Sequence, residues 1–269
     1  MKIEIADDFD LKKIDESGQC FRVRNPDDGS YIFILRDNVL SIKKSGENEY
    51  EIDCDLRSWE ELWIPYFDLK RSYRDIRRMI RDEDRYLKAA SETGRGIRVL
   101  KQDPFEMLIT FIISQRRNIP SIKRSVELIC ERFGKRSKDY PDIYLFPDPA
   151  DMAGIDEESL SGLSLGYRDK YIVDAVNKVN RGELPLYDMY ELKDEELFTR
   201  LKSVNGVGDK VANCICLFAY QRMAFVPVDV WIQRVINEIY AGEDPFPSYG
   251  ENAGIMQQWL YYAIRQEER

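Results

Sequence analysis

The period of the hydrophobic pattern changes once along this chain, near Asp55, and every candidate fold has to accommodate that change. Before Asp55 the apolar residues come in short runs: Phe21-Arg22-Val23-Arg24, Tyr31-Ile32-Phe33-Ile34-Leu35, Val39-Leu40-Ser41-Ile42 and Tyr50-Glu51-Ile52. Turn chemistry separates them at Asn25-Pro26-Asp27-Asp28-Gly29, Arg36-Asp37-Asn38 and Ser45-Gly46-Glu47-Asn48, which predicts an antiparallel meander. After Asp55 the spacing becomes helical. Trp59, Leu62 and Trp63 open it, and Tyr73, Ile76, Ile80 and Leu87 continue an apolar stripe through a charged segment. Asp103-Pro104 then reads as an N-cap and first helical position before the apolar helix Phe105–Ile113. Further helices are expected from Pro120, with Ile122, Val126, Ile129 and Phe133 inward, from about Arg168 to Val179, and from about Gly250 to Ile264. The fold class expected is therefore α+β. Residues 1–57 would form an antiparallel β domain and residues 58–269 an α-helical region, with part of 58–102 and the C-terminus free to pack with the β domain.

A chain of 269 residues can bury a sizeable core. No apolar run approaches the roughly 18 residues of a membrane span, and the N-terminal MKIEIADDFDLKK lacks the apolar stretch of a signal peptide. Cytoplasmic residence, nucleoid-associated in a prokaryote, is the expectation. The five cysteines, Cys20, Cys54, Cys130, Cys214 and Cys216, have no CxxC spacing and there is no histidine at all. Free thiols in a reducing compartment fit this pattern, and no metal or cofactor is expected. The missing histidine also excludes Ser-His-Asp and Cys-His mechanisms, so proton transfer would fall to Asp, Glu, Lys, Tyr or Cys.

The net charge of −9 argues at first against a polyanionic partner. The bases, however, are clustered: Lys70, Arg71, Arg74, Arg77, Arg78 and Arg81, then Arg116, Arg117, Lys123, Arg124, Arg132, Lys135, Arg136 and Lys138. Such segments could form a local phosphate-binding face or simply solvated helix faces.

In Leu201–Tyr240 the apolar spacing of Leu201 and Val204, then Val211, Cys214, Ile215 and Phe218, brackets Asn205-Gly206-Val207-Gly208. This predicts helix, tight turn, helix. Glycines there let the backbone approach a ligand and leave the next helix's N–H groups facing outward, an arrangement that suits a phosphate. An ordinary helix-loop-helix corner is the plainer reading of a lone Gly-x-Gly. Lys210 on the first turn and Asp229 before the next helix add the chemistry. Asp229 also reads as an N-cap, because Ile232, Val235, Ile236 and Ile239 line the helix after it.

Together the Gly206-Val207-Gly208-Asp209-Lys210-Val211-Ala212 and Val226-Pro227-Val228-Asp229-Val230 segments resemble the helix-hairpin-helix DNA glycosylase superfamily. Four further patches are similar to 8-oxoguanine DNA glycosylases: Ser17-Gly18-Gln19-Cys20-Phe21-Arg22, Gln102-Asp103-Pro104-Phe105-Glu106, Leu165-Gly166-Tyr167-Arg168, and Ala253-Gly254-Ile255-Met256-Gln257 with Tyr261 beyond it. Each is weak alone; together they run in family order from residue 17 to 261. The resemblance implies a TATA-binding-protein-like β domain, a helix-hairpin-helix glycosylase body with its hairpin at about 201–221, and a monomer that acts on double-stranded DNA containing 8-oxoguanine.

It also implies roles. Lys210 would attack the sugar and hold it as a Schiff base, permitting β-elimination. Asp229 would stabilise the developing cation. The Gly18 carbonyl would accept the N7 proton that distinguishes the oxidised base, Gln257 would read its Watson–Crick edge, and Tyr261 and Cys214 would sandwich it after flipping. Gly206, Gly208, Arg116, Arg117, Asn118, Arg168 and Phe21 would hold DNA, and Tyr167 would wedge into the opened duplex. Three departures stand out. Arg116 and Ser121 replace the family's asparagine and arginine that read the opposite cytosine, so opposite-base selectivity is expected to be weak. Asn205 replaces the hairpin's usual proline, and Trp231 stands where many relatives have histidine; neither removes a reacting group. The competing readings are a monofunctional glycosylase, for which Lys210 would have no role, and a non-catalytic helix-hairpin-helix module, for which Asp229 and Gln257 would have none.

Overall fold

The computed structural model describes residues 1–267. Its strands are β1 (Lys2–Glu4), β2 (Ser30–Leu35), β3 (Asn38–Lys44) and β4 (Glu49–Ile52). They form one antiparallel sheet in the order β1-β4-β3-β2. The helices are α1 (Leu11–Glu16), α2 (Leu56–Ser58), α3 (Ile64–Tyr66), α4 (Tyr73–Arg78), α5 (Arg85–Thr93), α6 (Pro104–Ser114) and α7 (Ile119–Phe133). They continue with α8 (Asp169–Asn180), α9 (Asp194–Lys202), α10 (Asp209–Phe218), α11 (Val230–Glu238) and α12 (Ala253–Glu267). Among the described residues no helix is long and apolar enough to cross a membrane.

The chain divides into two compact units. One comprises Met1–Ile32, Leu40–Lys101 and the chain from Gln221; the other comprises Phe33–Val39 and Gln102–Tyr220. In the first, the sheet keeps the expected alternation: Leu40, Ile42, Tyr50 and Ile52 are buried while Lys43, Glu49 and Glu51 face solvent. Two details differ from the sequence reading. Phe21–Arg24 is not a strand, because only Arg24 and Ile32 exchange ladder bonds before Asn25-Pro26 turns the chain away. Lys2–Glu4, too short to show a period, pairs with β4 in the register Ile3 to Tyr50.

Helix α5 packs against α12 in this first unit, and Gly94 lets them close. A Cβ there would stand 2.7 Å from Trp259 Cδ1. Beside them Arg98 is fully buried, its guanidinium 4.3 Å from the Tyr73 ring centre. It donates to the carbonyls of Asp8, Asp68 and Arg71 at 2.7, 3.2 and 2.9 Å and pairs with Asp7 at 3.1 Å. A buried charge is tolerable only with this many partners.

The second unit is organised on α6, buried at every position from Pro104 to Ile113 and packed by α7, α8 and α10. The Asp103 carboxylate caps it, accepting from the Phe105 and Glu106 amides at 2.9 and 3.0 Å. Phe111 stacks on Phe218 of α10 with ring centres 5.5 Å apart.

Candidate active site

In the first unit, Gly18 follows α1 with φ of 77°, a left-handed conformation that favours glycine. Its neighbour Gln19 fixes the turn. The Gln19 amide donates to Ser17 Oγ and to the Arg98 carbonyl, both at 2.8 Å, and accepts from the Leu100 amide at 2.7 Å. The Tyr261 ring of α12 lies on the open side of the glycine: a Cβ on Gly18 would be 3.0 Å from Tyr261 Cε1 and 3.4 Å from Arg265 Nη1. Arg265, one turn beyond, donates to the Tyr261 hydroxyl at 3.3 Å. The fold therefore brings together Gly18 and Tyr261, which the sequence separates by most of the chain.

Gln257, one turn before Tyr261, is 3% exposed and donates from Nε2 to the Pro227 carbonyl at 3.1 Å. Pro227 lies two residues before Asp229. Asp229 caps α11 as expected, its Oδ1 accepting from the Trp231 and Ile232 amides at 3.0 Å each. This fixes one carboxylate oxygen at the positive end of a helix. Phe21 departs from expectation. At 5% exposure its ring belongs to the core rather than to a DNA-facing surface, because the Gln19 clamp turns Cys20, Phe21 and Val23 inward.

In the second unit, α9, the turn Val204–Gly208 and α10 form the predicted helix-turn-helix. Its two glycines have different duties. Gly206 has φ of 81° and is packed on Tyr171 of α8, so that a Cβ would meet Tyr171 Cδ2 at 2.4 Å. Gly208 caps α10 in extended conformation (φ −89°, ψ −175°), and a Cβ there would meet nothing within 4 Å. Asp174 of α8 accepts from the Asn205 amide at 2.8 Å, which anchors the turn without the usual proline.

Lys210 stands on the first turn of α10, half-buried, with its Nζ 5.4 Å from the Phe111 ring centre. Cys214, one turn on, is 2% exposed and is not in a disulfide.

Tyr167 projects from the Leu165–Arg168 turn at 46% exposure, its ring edge-on to Tyr171 at 5.9 Å, so it and Gly206 share one supporting side chain. Arg168 is placed differently from expectation. It is buried, lies 4.4 Å under the Tyr167 ring, and donates to the carbonyls of Leu165 and Gln115. It props the tyrosine and the Gln115 turn instead of presenting a free cation. Arg117 donates to Ser125 Oγ at 2.9 Å, and its pKa is lowered by burial and then by Arg168. Arg116 is exposed, in a left-handed conformation with φ of 52°. The Asn118 side chain caps α7 through the Ser121 amide at 3.0 Å.

No local sequence pattern singles out Gln19, Arg98, Pro227, Gln258 or Arg265 for roles of their own. Gln19 and Pro227 lay inside quoted motifs. For Arg265 the i, i+4 spacing from Tyr261 was the available signal.

Residues 2–108 match the family described as 8-oxoguanine DNA glycosylase, N-terminal domain, and residues 109–259 match the HhH-GPD superfamily of base excision DNA repair proteins. A similar solved structure is the 8-oxoguanine glycosylase/lyase of Clostridium acetobutylicum in complex with double-stranded DNA containing cytosine opposite 8-oxoguanine. It is 34% identical with a TM-score of 0.90, covering 100% of this chain and 99% of that one. The probable N-glycosylase/DNA lyase of Methanothermobacter thermautotrophicus is 29% identical over 98% of this chain and 96% of its own. The N-glycosylase/DNA lyase of Saccharomyces cerevisiae is 35% identical over 56% of this chain, a match that spans 44% of the yeast protein.

Proposed function

We propose, from the premise that this chain belongs to the 8-oxoguanine DNA glycosylases of the HhH-GPD base excision repair superfamily, that it excises 8-oxoguanine from double-stranded DNA with Lys210 as nucleophile and then cleaves the strand as a lyase. The observation that carries the chemistry is Lys210 itself: a half-buried amine against Phe111, on the first helical turn after the Gly206–Gly208 hairpin.

The amine nitrogen adds to C1′ as the bond from C1′ to the base nitrogen breaks, and the base leaves with the bonding pair and takes up a proton. Loss of the amine proton and opening of the sugar give an iminium between Nζ and C1′. That iminium acidifies the C2′ proton, whose removal expels the 3′ phosphate and cuts the strand. Asp229 supplies a fixed negative charge for the oxocarbenium-like sugar. Cys214 and Tyr261 offer walls for the flipped base, and Gln257 meets its Watson–Crick edge. The Gly18 carbonyl accepts N7–H from 8-oxoguanine, whereas guanine would set a lone pair against it, a mismatch of the kind that gives strong discrimination. Gly208 leaves the α10 N-terminus open to a backbone phosphate, and Tyr167 is the wedge. We place the enzyme in the cytoplasm, acting as a monomer on DNA.

Borohydride reduction on a duplex containing 8-oxoguanine tests this. A covalent complex that vanishes in Lys210→Gln supports the reading. Base release without trapping would instead make the protein a monofunctional glycosylase, and neither product would leave only a DNA-binding module.

A further inference from the structure

Gln257 is not alone. The next residue on α12, Gln258, is 4% exposed, and its Nε2 donates to Gln257 Oε1 at 2.9 Å. Gln257 Nε2 in turn donates to the Pro227 carbonyl at 3.1 Å. Among the described residues Gln258 Oε1 has no hydrogen-bond partner. The three groups form one chain of hydrogen bonds whose direction is set at its root. A proline carbonyl can only accept, so the Gln257 amide must turn its NH₂ to Pro227 and its oxygen away. Gln258 must then turn its own NH₂ to that oxygen.

We propose that Gln258 is a positioning residue that, together with the Pro227 carbonyl, holds the Gln257 amide in one polarity, and thereby commits the pocket to a purine with a guanine-type edge. This deepens the proposed function and rests on its placing of Gln257 at the base. A guanine-type edge presents an acceptor at O6 beside a donor at N1–H; an adenine-type edge presents a donor at N6 beside an acceptor at N1. With Pro227 and Gln258 engaged, Gln257 keeps one N–H and one oxygen lone pair for a guest. That pair matches acceptor-then-donor and opposes the reverse. Rotating the amide to suit an adenine edge would set its oxygen against the Pro227 carbonyl, and would either set NH₂ against NH₂ of Gln258 or oblige Gln258 to rotate as well. A fully buried amide pair makes that rotation costly, since each opposed contact leaves buried polar groups unsatisfied.

The test compares two lesions that carry the same 8-oxo group and differ at the Watson–Crick edge. Single-turnover excision of 8-oxoguanine and of 8-oxoadenine is measured for wild type, Gln258→Met and Gln258→Glu, with thermal melting of each protein. Methionine keeps the volume and removes the donor; glutamate sets an acceptor against Gln257 Oε1. The expected result is that Gln258→Met lowers the 8-oxoguanine to 8-oxoadenine ratio by about tenfold, the scale of one buried hydrogen bond. Gln258→Glu is expected to lower it further. Processing of a preformed abasic site, which has no base to read, is expected to change less than about twofold on the same grounds. A merely structural glutamine would slow both lesions and the abasic reaction together, and an unchanged ratio in a folded variant would overturn the proposal. Wild-type protein that excises neither lesion would overturn the functional reading beneath it, which separates the two failures.

Discussion

Two glycines separated by one residue in the hairpin should respond to the same substitution in opposite ways. At Gly206 alanine must adopt φ of 81°, where an L side chain costs about 1–2 kcal/mol. Its Cβ would also arrive 2.4, 2.6 and 2.8 Å from Cδ2, Cγ and Cε2 of Tyr171. These are ring atoms on the near side, so the ring itself must move, and overpacking of that kind costs a further 1–3 kcal/mol or about that. Gly206→Ala is therefore expected to lose about 2–5 kcal/mol, and to disturb Tyr167, which leans on the same ring. At Gly208 the backbone is extended and the added methyl meets nothing within 4 Å. Alanine is the poorer N-cap but also restricts the unfolded chain, and these small terms oppose each other, leaving a net within about 0.5 kcal/mol. The methyl would stand where a phosphate must approach, so affinity for an abasic-site duplex should fall about tenfold at unchanged stability. Urea unfolding followed by circular dichroism, paired with a DNA-binding titration, reads both effects. Equal stability losses at the two positions, or a Gly206→Ala protein as stable as wild type, would refute the reasoning.

Other outcomes follow from the same geometry. Excision measured against each of the four opposite bases should vary by less than about tenfold, or 1.4 kcal/mol, because Arg116 and Ser121 stand in place of the cytosine readers and Arg168 is engaged with backbone carbonyls; a larger preference for cytosine contradicts this. Tyr50, Tyr86, Tyr190 and Tyr249 are each pushed up to about 12, first by burial. Because their folded values are raised, the stability they contribute is fully present below about pH 10, the value for an unfolded tyrosine, and is lost as pH rises toward about 12. Tyrosinate absorbance should therefore rise together with unfolding, and ionisation near pH 10 (about the free value) in an intact fold would refute the assignment. Asp103→Ala removes the α6 cap and the partner of Arg36, which pairs with Asp103 at 3.1 Å but is half exposed. The cap dominates, so a loss of about 1–2 kcal/mol is expected in thermal melts.

Much of this molecule could be read from spacing because local rules and tertiary packing agree. Asp103 and Asp229 each precede an apolar periodic run and each caps the helix that follows. The strands of the meander alternate as their side chains do. Legibility ends where the decisive contact is long-range. Phe21 looked like a surface residue in a motif, yet the Gln19 clamp on the Arg98–Leu100 backbone turns it inward. Arg168 read as a DNA contact, but one of its two carbonyl partners, Gln115, lies 53 residues earlier in sequence, on a turn that no local pattern reveals. Gln258 carried no signal because its meaning depends on a hydrogen bond that begins at Pro227. Gly206 and Gly208 looked equivalent until Tyr171 told them apart.

The central claim is that one particular amine forms the bond to the sugar. The most direct measurement is peptide mapping of the complex trapped by borohydride on 8-oxoguanine DNA, with the mass of the reduced sugar adduct located by fragmentation. The account predicts the adduct on Lys210 and on no other amine, with trapping lost in Lys210→Gln. An adduct on the N-terminus or on another lysine, or base release with no adduct at all, would contradict it.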